Sequence, residues 1–139
     1  MSSSSSAVSS SVLGTSSGKL YSLRVFVPVS HAPQVRAALG SSGAGSMGNY
    51  DSASFSWRGV GRFRPLSGAT PFIGSVGSLE QVEEEAIETE IRGEYLEGCL
   101  KAIKAAHPYE HPGIHISEIL KIDWASISVP STDAAGARK

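Results

Sequence analysis

The sequence has little cysteine, little net charge and no long apolar run. It has 139 residues, one cysteine (Cys99) and a formal net charge of −1. A single cysteine excludes an intrachain disulfide framework and a zinc site built from several cysteines, which favours a reducing compartment. The balanced charge predicts neither nucleic-acid binding nor a polybasic membrane anchor. Because no run approaches the roughly 18 apolar residues of a membrane span, we expect a cytoplasmic protein that does not enter a membrane.

The composition divides the chain into three parts. Ten of the first seventeen residues are serine, and such a segment buries too little apolar surface to offset an ordering cost of about 1–2 kcal/mol per residue. We therefore expect residues 1–18 to be a disordered leader. Residues 19–124 carry nearly all the apolar periodicity and form the predicted folded domain, and residues 125–139 are expected to be a flexible C-terminal tail.

Apolar spacing predicts the order of the secondary structure elements. Two segments, 31–39 and 95–106, repeat apolar residues at helical spacing. Segments 21–29, 49–57, 82–91 and 113–122 are predicted strands; the glutamates of 82–91 also allow a helix, but its apolar spacing favours a strand. Residues 59–65 are expected to return as a short strand or ribbon, followed by a long loop over 66–79. The order β-α-β-β-α-β is that of an α+β, ferredoxin-like split βαβ fold.

Histidine and glutamate cluster before the last predicted strand. His107, Glu110, His111 and His115 lie within nine residues, and imidazole and carboxylate groups are ligands that suit a divalent metal such as zinc. Their spacing does not place them on one face of a regular helix. The alternative is that the Pro-Tyr-Glu-His-Pro segment is a rigid turn, with His107 capping the second helix.

Two arginines form a candidate anion site. Arg62 and Arg64 flank Phe63, so in an extended chain their side chains leave one side about 6.5–7 Å apart, at roughly 3.3 Å per residue. Paired guanidinium groups suit phosphate or carboxylate, and the glycine-rich segments 43–48 and 74–77 could add backbone N–H donors. The alternative is that the arginines pair across the sheet with glutamates of the 82–91 strand.

A series of short motifs resembles one known domain. The motifs share their order and spacing with it: Arg24–Pro28, Gly43–Gly45, Gly48–Asp51, Gly61–Pro65, Pro71–Gly74 and His107–Glu110. Over residues 21–118, they resemble the YqfO-type domain. That domain occurs as an insert in dinuclear-metal-centre hexameric proteins, often labelled GTP cyclohydrolase type 2 homologues, and as a free-standing small protein.

The resemblance implies a fold akin to the PII signalling proteins and CutA, which assemble as trimers through their sheets. It implies no reaction, because the metal ligands of the parent proteins lie in a separate domain. Its motifs mark a shared ligand-binding site or scaffold at Gly45, Asn49, Tyr50, Asp51, Arg62, Arg64, Phe72, Gly74 and Tyr109. The sequence departs from the family pattern at His111, where an acidic residue is common, and at Ala53, where a cysteine is frequent.

Two functional hypotheses follow from the residues and the resemblance together. The first is a non-enzymatic PII-like module that forms a homotrimer and binds a small anionic ligand or a partner protein. The alternative is a metal-binding protein or small metal-dependent hydrolase that uses His107, Glu110 and His111. The two hypotheses make different predictions about metal content, since only the second requires a bound divalent metal.

Overall fold

The computed structural model describes residues 18–131 as an α+β fold with the predicted order β-α-β-β-α-β. A four-stranded antiparallel sheet carries both α-helices on one face. The elements are β1 (Leu20–Pro28), α1 (Ala32–Ser41), β2 (Phe55–Phe63), β3 (Glu80–Arg92), α2 (Gly93–Ala106) and β4 (Gly113–Ile119), with short 3₁₀ turns at Val29–His31 and Trp124–Ser126.

The sheet has the order β2-β3-β1-β4, so β1 and β3 are central and β2 and β4 are the edges. Val25 of β1 lies opposite Ile87 of β3 and Ile114 of β4. Because side chains alternate along a strand, this register places the apolar residues of all three strands on one face. The opposite face, which we call the open face, is not covered by either helix.

The core lies between the sheet and the two helices. Leu23, Val25 and Val27 of β1 are fully buried there and alternate with partly exposed residues. The residues that the helices bury against them share helical spacing: Val35 and Leu39 from α1, and Leu96, Cys99 and Ile103 from α2. Each large apolar side chain buried in this way contributes roughly 1.5–3 kcal/mol. Cys99 therefore belongs to the core.

The second strand differs from the sequence prediction. Residues 42–54 form the connection to the strand, and in it the backbones of Met47 and Tyr50 hydrogen-bond to each other. A single strand then runs from Phe55 to Phe63 without turning back at Gly59. Gly59 lies directly opposite Glu84 of β3. A glycine that weakens a strand locally is tolerated here because the partner strand pairs with β2 along its whole length.

The third strand is confirmed and is longer than predicted. It extends over thirteen residues, and its glutamates lie on both faces of the sheet. Glu85 points toward the helices and pairs with Arg36 of α1. Glu88 lies on the open face, where it accepts hydrogen bonds from Ser22 at 3.3 Å and Arg24 at 3.2 Å. The acidic pattern that also allowed a helix is thus accommodated by polar partners on both faces.

No helix within residues 18–131 is long and apolar enough to cross a membrane. The regular elements extend from Leu20 to Ser126. The predicted leader, except for Gly18, lies outside the described residues, as do residues 132–139 of the predicted tail. The three-part division of the chain stays a prediction.

Candidate functional site

A cleft with a volume of about 750 Å³ opens on the open face of the sheet. Its floor contains Phe26, Ala86 and Trp57, which are neighbours across β1, β3 and β2. The segment that follows β2 and the segment that precedes β4 contribute further lining residues. The long loop predicted over 66–79 therefore has a definite position, beside the cleft.

Both predicted arginines line this cleft. Arg62 lies near the end of β2, opposite Gln81, and Arg64 follows the strand. Neither makes an ion pair with any residue in the 18–131 segment. The cross-strand alternative is not what the structure shows, since Glu88 pairs with Arg24 and Glu84 binds a tyrosine. The guanidinium groups of Arg62 and Arg64 are therefore not neutralised by a carboxylate within residues 18–131.

Tyr109 joins the two sides of the cleft. Its hydroxyl donates a hydrogen bond of 2.8 Å to Glu84, and its ring lies 5.6 Å from that of Phe63 in an edge-to-face arrangement. Burial raises the pKa of Tyr109 well above its usual value, and the hydrogen bond and negative charge of Glu84 raise it further. The phenol is therefore a neutral donor that engages one carboxylate of the cleft.

Glu84 and Gly61 are residues that the sequence analysis did not assign to the site. A side chain at Gly61 would collide with the carboxylate of Glu84, so the absence of a Cβ lets Glu84 lie across β2 and reach Tyr109. The floor residues Phe26 and Trp57 were also missed. Trp57, Gly59 and Gly61 alternate along the strand, which indicates a strand face with little side-chain volume beside the tryptophan. Only the strand register shows that Ala86 and Glu84 lie opposite this face on β3.

Glu110 and Phe72 lie on the walls of the cleft. Glu110 accepts a hydrogen bond of 2.6 Å from the backbone N–H of Thr70, which ties the segment before β4 to the loop after β2. Phe72 packs edge-to-face on His31 with ring centroids 5.2 Å apart and is half exposed. Its free side completes an aromatic wall with Tyr109, whose ring centroid is 6.5 Å away.

His107 is a structural residue at the end of α2. Its Nε2–H donates to the carbonyl oxygen of Phe26 at 2.7 Å, and its Nδ1 accepts from the backbone N–H of Tyr109 at 3.1 Å. Both ring nitrogens are therefore used by a neutral imidazole. Burial lowers its pKa, and this outweighs the Phe26 carbonyl and the Glu84 charge, which favour the protonated form. His107 is the C-cap residue of α2, as the turn alternative proposed, but its backbone N–H forms the cap bond to Ile103.

The predicted metal ligands are not brought together. Glu110 and His111 line the cleft, whereas His107 is buried beside Phe26. Within the described segment, no group of three or more histidine, cysteine, aspartate or glutamate residues is arranged to hold a metal ion. The segment that contains these residues has two X-Pro bonds and is not helical. The side chains are therefore neighbours in the sequence but do not converge on a common metal position.

The glycine-rich loop lies far from the arginines. The backbone N–H of Gly45 donates to the carbonyl of Glu90, whereas Arg62 lies opposite Gln81. Nine residues of extended strand separate Glu90 from Gln81, which is about 30 Å at roughly 3.3 Å per residue. The same loop carries Asn49, Tyr50 and Asp51, which are all exposed and do not line the cleft. The structure therefore separates these four predicted positions from the arginine pair.

Gly74 is close to the cleft but does not line it. It has a positive φ of 93° and packs against the side chain of Glu80, which leaves no room for a Cβ. Of the predicted ligand-binding residues, the structure thus brings four together in the cleft: Arg62, Arg64, Phe72 and Tyr109.

Comparisons with known proteins identify the same domain. No family model matches the chain. The chain is 47% identical over 98 residues to a GTP cyclohydrolase 1 type 2 homolog of Halalkalibacterium halodurans; the match covers 70% of this chain and 26% of that protein. A solved structure of a Bacillus cereus protein related to NIF3 is 41% identical, with a TM-score of 0.64, over 76% of this chain and 27% of its own. The chain therefore corresponds to a minor part of the length of these relatives.

The fold itself is found in small proteins of similar length. The periplasmic divalent cation tolerance protein CutA from Archaeoglobus fulgidus superposes with a TM-score of 0.53 at 17% identity, over 73% of this chain and 85% of its own. At this identity, the likeness establishes the fold alone. Together with the closer relatives, it confirms the predicted resemblance. The chain carries a YqfO-type domain with a CutA-like, ferredoxin-like fold, which corresponds to about a quarter of the length of the GTP cyclohydrolase 1 type 2 homologs that it resembles.

Proposed function

We propose that this chain is a non-enzymatic binding or regulatory module whose cleft recognises a small anionic ligand. The observation that carries the proposal is the pair Arg62 and Arg64, which line an aromatic cleft and have no ion-pair partner within residues 18–131. A guanidinium group that no protein carboxylate neutralises is suited to bind a carboxylate or phosphate of a ligand.

The remaining lining residues favour an anion that also has an apolar or planar part. Phe63, Phe72 and Tyr109 present ring surfaces, against which such a part can pack. The two acidic residues of the cleft already accept hydrogen bonds: Glu84 from Tyr109, and Glu110 from Thr70. These bonds offset part of the repulsion that the carboxylates would exert on an anion.

Binding is favoured over catalysis by the way in which the reactive groups are used. Both ring nitrogens of His107 are engaged in structural hydrogen bonds, and the phenol of Tyr109 is held in its neutral form. Burial also raises the pKa of the Cys99 thiol, which lies in the core away from the cleft. As the family resemblance implies, we propose that the module acts as a homotrimer in the cytoplasm.

Ligand-induced stabilisation tests this proposal. Thermal unfolding is measured with inorganic phosphate, citrate, benzoate and a nucleoside triphosphate, because a ligand that binds the native state raises the melting temperature. The double variant Arg62→Gln/Arg64→Gln is expected to lose the response to the anion that stabilises the wild type. Each lost charge-assisted hydrogen bond is worth roughly 1.5–3 kcal/mol, so affinity should fall by about two to four decades.

A matched control removes the same charge elsewhere. Arg92 and Lys104 are exposed and belong to the end of β3 and to α2, away from the cleft. Arg92→Gln/Lys104→Gln should keep the wild-type ligand response. If both double variants respond as the wild type does, or if no anion stabilises the wild type, the anion site is refuted.

A further inference from the structure

The cleft on the open face is lined by charges of both signs. Glu84 and Glu110 line it together with Arg62 and Arg64. None of these four residues forms an ion pair with any residue of the 18–131 segment. Two acids and two arginines therefore share one cleft without neutralising each other. An arrangement of this kind suits a ligand that itself carries both a negative and a positive group.

The carboxylate of Glu84 keeps one oxygen for a ligand. Its Oε2 accepts the hydrogen bond from Tyr109, whereas its Oε1 accepts no hydrogen bond from residues 18–131 and is not buried. A carboxylate can accept about four hydrogen bonds in all. Gly59 lies directly opposite Glu84 and Gly61 lies beside its carboxylate, so β2 has no side chain at either position to cover it. Glu84 therefore presents its charge to the cleft.

Of the two acids, Glu84 has the stronger effect on a ligand. It is half-buried, whereas Glu110 is exposed and accepts the backbone N–H of Thr70. Water and salt screen an exposed charge more than a partly buried one. The selection between ligands of different charge should therefore depend mainly on Glu84.

The charged groups are separated by an aromatic side chain along β2. The carboxylate of Glu84 lies beside Gly61, and Phe63 is on the same face of the strand as Gly61 because side chains alternate. The ring of Phe63 contacts that of Tyr109. Arg64 follows, and its Cα lies about 10 Å from that of Gly61 in an extended chain at roughly 3.3 Å per residue. The order along the cleft is thus carboxylate, aromatic ring, guanidinium.

We propose that the cleft binds a zwitterion. Its protonated amine contacts Glu84, its carboxylate or phosphate contacts Arg62 and Arg64, and an apolar or planar part between the two packs on Phe63. The amine donates a charge-assisted hydrogen bond to the unpaired oxygen of Glu84, and it removes the repulsion that a simple anion would meet there. This inference rests on the anion site proposed above and adds a second group that the ligand must carry.

Three probes of nearly equal size separate the contributions of the two charges. Para-aminomethylbenzoate carries both charges, para-methylbenzoate carries only the anion, and benzylamine carries only the amine. Calorimetric titration of the full-length chain measures the affinity for each. We expect the zwitterion to bind about tenfold more tightly than para-methylbenzoate or better, because a charge-assisted hydrogen bond contributes a factor of that size. Benzylamine alone should bind more weakly than the zwitterion.

The variant Glu84→Gln removes the charge and keeps an oxygen that can accept the hydrogen bond of Tyr109. The zwitterion should then bind no more tightly than para-methylbenzoate. Glu83→Gln is the matched control, because Glu83 is exposed on the same strand and does not line the cleft. This control should keep the wild-type preference for the zwitterion. Circular dichroism monitors the folding of both variants.

The possible failures are distinguishable. If the wild type binds para-methylbenzoate as tightly as the zwitterion, or if the preference survives in Glu84→Gln, the zwitterion is refuted and the anion site stands. If Arg62→Gln/Arg64→Gln binds para-methylbenzoate as the wild type does, the anion site is refuted and this inference with it.

The variant Tyr109→Phe gives a test that does not depend on the folding of Glu84→Gln. It keeps the aromatic ring but removes the hydroxyl that donates to Glu84. The carboxylate then has less of its charge compensated by the protein, so the preference for para-aminomethylbenzoate over para-methylbenzoate should increase. An unchanged or smaller preference would contradict the contact between the amine and Glu84.

Discussion

At the scale of single residues, His107 shows how a histidine in a motif can serve the fold. Its ring connects α2 to β1 through Phe26 and to the next turn through the backbone of Tyr109. Both bonds need the neutral tautomer with the proton on Nε2. A proton added at Nδ1 would convert the acceptor of the Tyr109 N–H into a donor, so protonation and the native contacts oppose each other.

This opposition predicts a pH dependence of stability. The native pKa of His107 lies below its ordinary value of 6.5, so the unfolded chain binds a proton at a higher pH than the native chain does. The free energy of unfolding should therefore fall as pH drops from 7 through 6.5 toward the native pKa, with a slope of at most about 1.4 kcal/mol per pH unit for one proton. Urea unfolding from pH 5 to pH 8 measures this slope.

The variant His107→Gln should flatten this part of the profile, because a glutamine amide offers one donor and one acceptor but does not titrate. His115→Gln serves as the control, since His115 lies exposed on β4. Equal slopes in the wild type and in His107→Gln would contradict the assignment of this histidine as the titrating group.

At the scale of elements, β2 positions the cleft through its two glycines. Gly59 and Gly61 lie on the open face, one strand away from Glu84. A Cβ at Gly61 would meet the Glu84 carboxylate, whereas a Cβ at Gly59 would have no neighbour within 4 Å. The position of Glu84 therefore requires a glycine at position 61, whereas the structure places no such requirement on position 59.

Alanine substitutions separate these two positions. Gly61→Ala should displace Glu84 from Tyr109 and lower the free energy of unfolding by about 0.5–1.5 kcal/mol, the net contribution of the part-buried hydrogen bond that is lost. Gly59→Ala should change stability by less than about 0.5 kcal/mol. Denaturant unfolding measures both.

A double-mutant cycle shows whether the loss passes through the Glu84–Tyr109 hydrogen bond. Once Tyr109→Phe has removed that bond, Gly61→Ala should cost less than it does in the wild type. Strictly additive costs would mean that the glycine acts in some other way.

Local periodicity was sufficient to predict most of the elements. The alternation in β1 and the three-and-four spacing in α2 arise within one segment, and both predictions are confirmed. The second strand was predicted wrongly, because Gly59 resembles a turn until the partner strand is known. Whether a glycine ends a strand depends on residues far away in the sequence, which no local pattern contains.

The site was predictable only in part, for the same reason. The spacing of Arg62 and Arg64 suggested an anion site, and both residues line the cleft. Their supposed neighbours in the glycine-rich loop lie at the other end of β3, because the crossover through α1 carries that loop there. Glu84 and Trp57 enter the site through the register of β2 on β3, which alternation alone does not fix.

At the scale of the whole molecule, the sheet has one covered and one open face. Ser22 of β1 and Ser117 of β4 lie opposite each other on the open face, away from the helices. The family resemblance implies assembly as a trimer through the sheet, and we propose that the open face takes part in it. A large charge on this face should therefore be incompatible with the assembly, while the core on the other face should be unaffected.

We predict that the full-length chain has three times the mass of one chain by light scattering, and that Ser117→Arg reduces this mass to that of a monomer. The control Ala105→Arg places the same charge on the exposed side of α2 and should remain trimeric. A wild type that is monomeric at micromolar concentration would exclude the trimer, and a trimeric Ser117→Arg would exclude the open face as its interface.

The direct junction between β3 and α2 has a consequence for how this domain can vary. Arg92 ends the strand and Gly93 begins the helix, whose first N–H donates to the carbonyl of Lys19 at 2.8 Å. An inserted residue at this joint would turn the helix by about 100° or move every strand side chain to the opposite face, because no loop is present to absorb it. Insertions and deletions at the Arg92–Gly93 junction should therefore prevent folding. They should be tolerated at the exposed Gly68, where a side chain would have no neighbour within 4 Å.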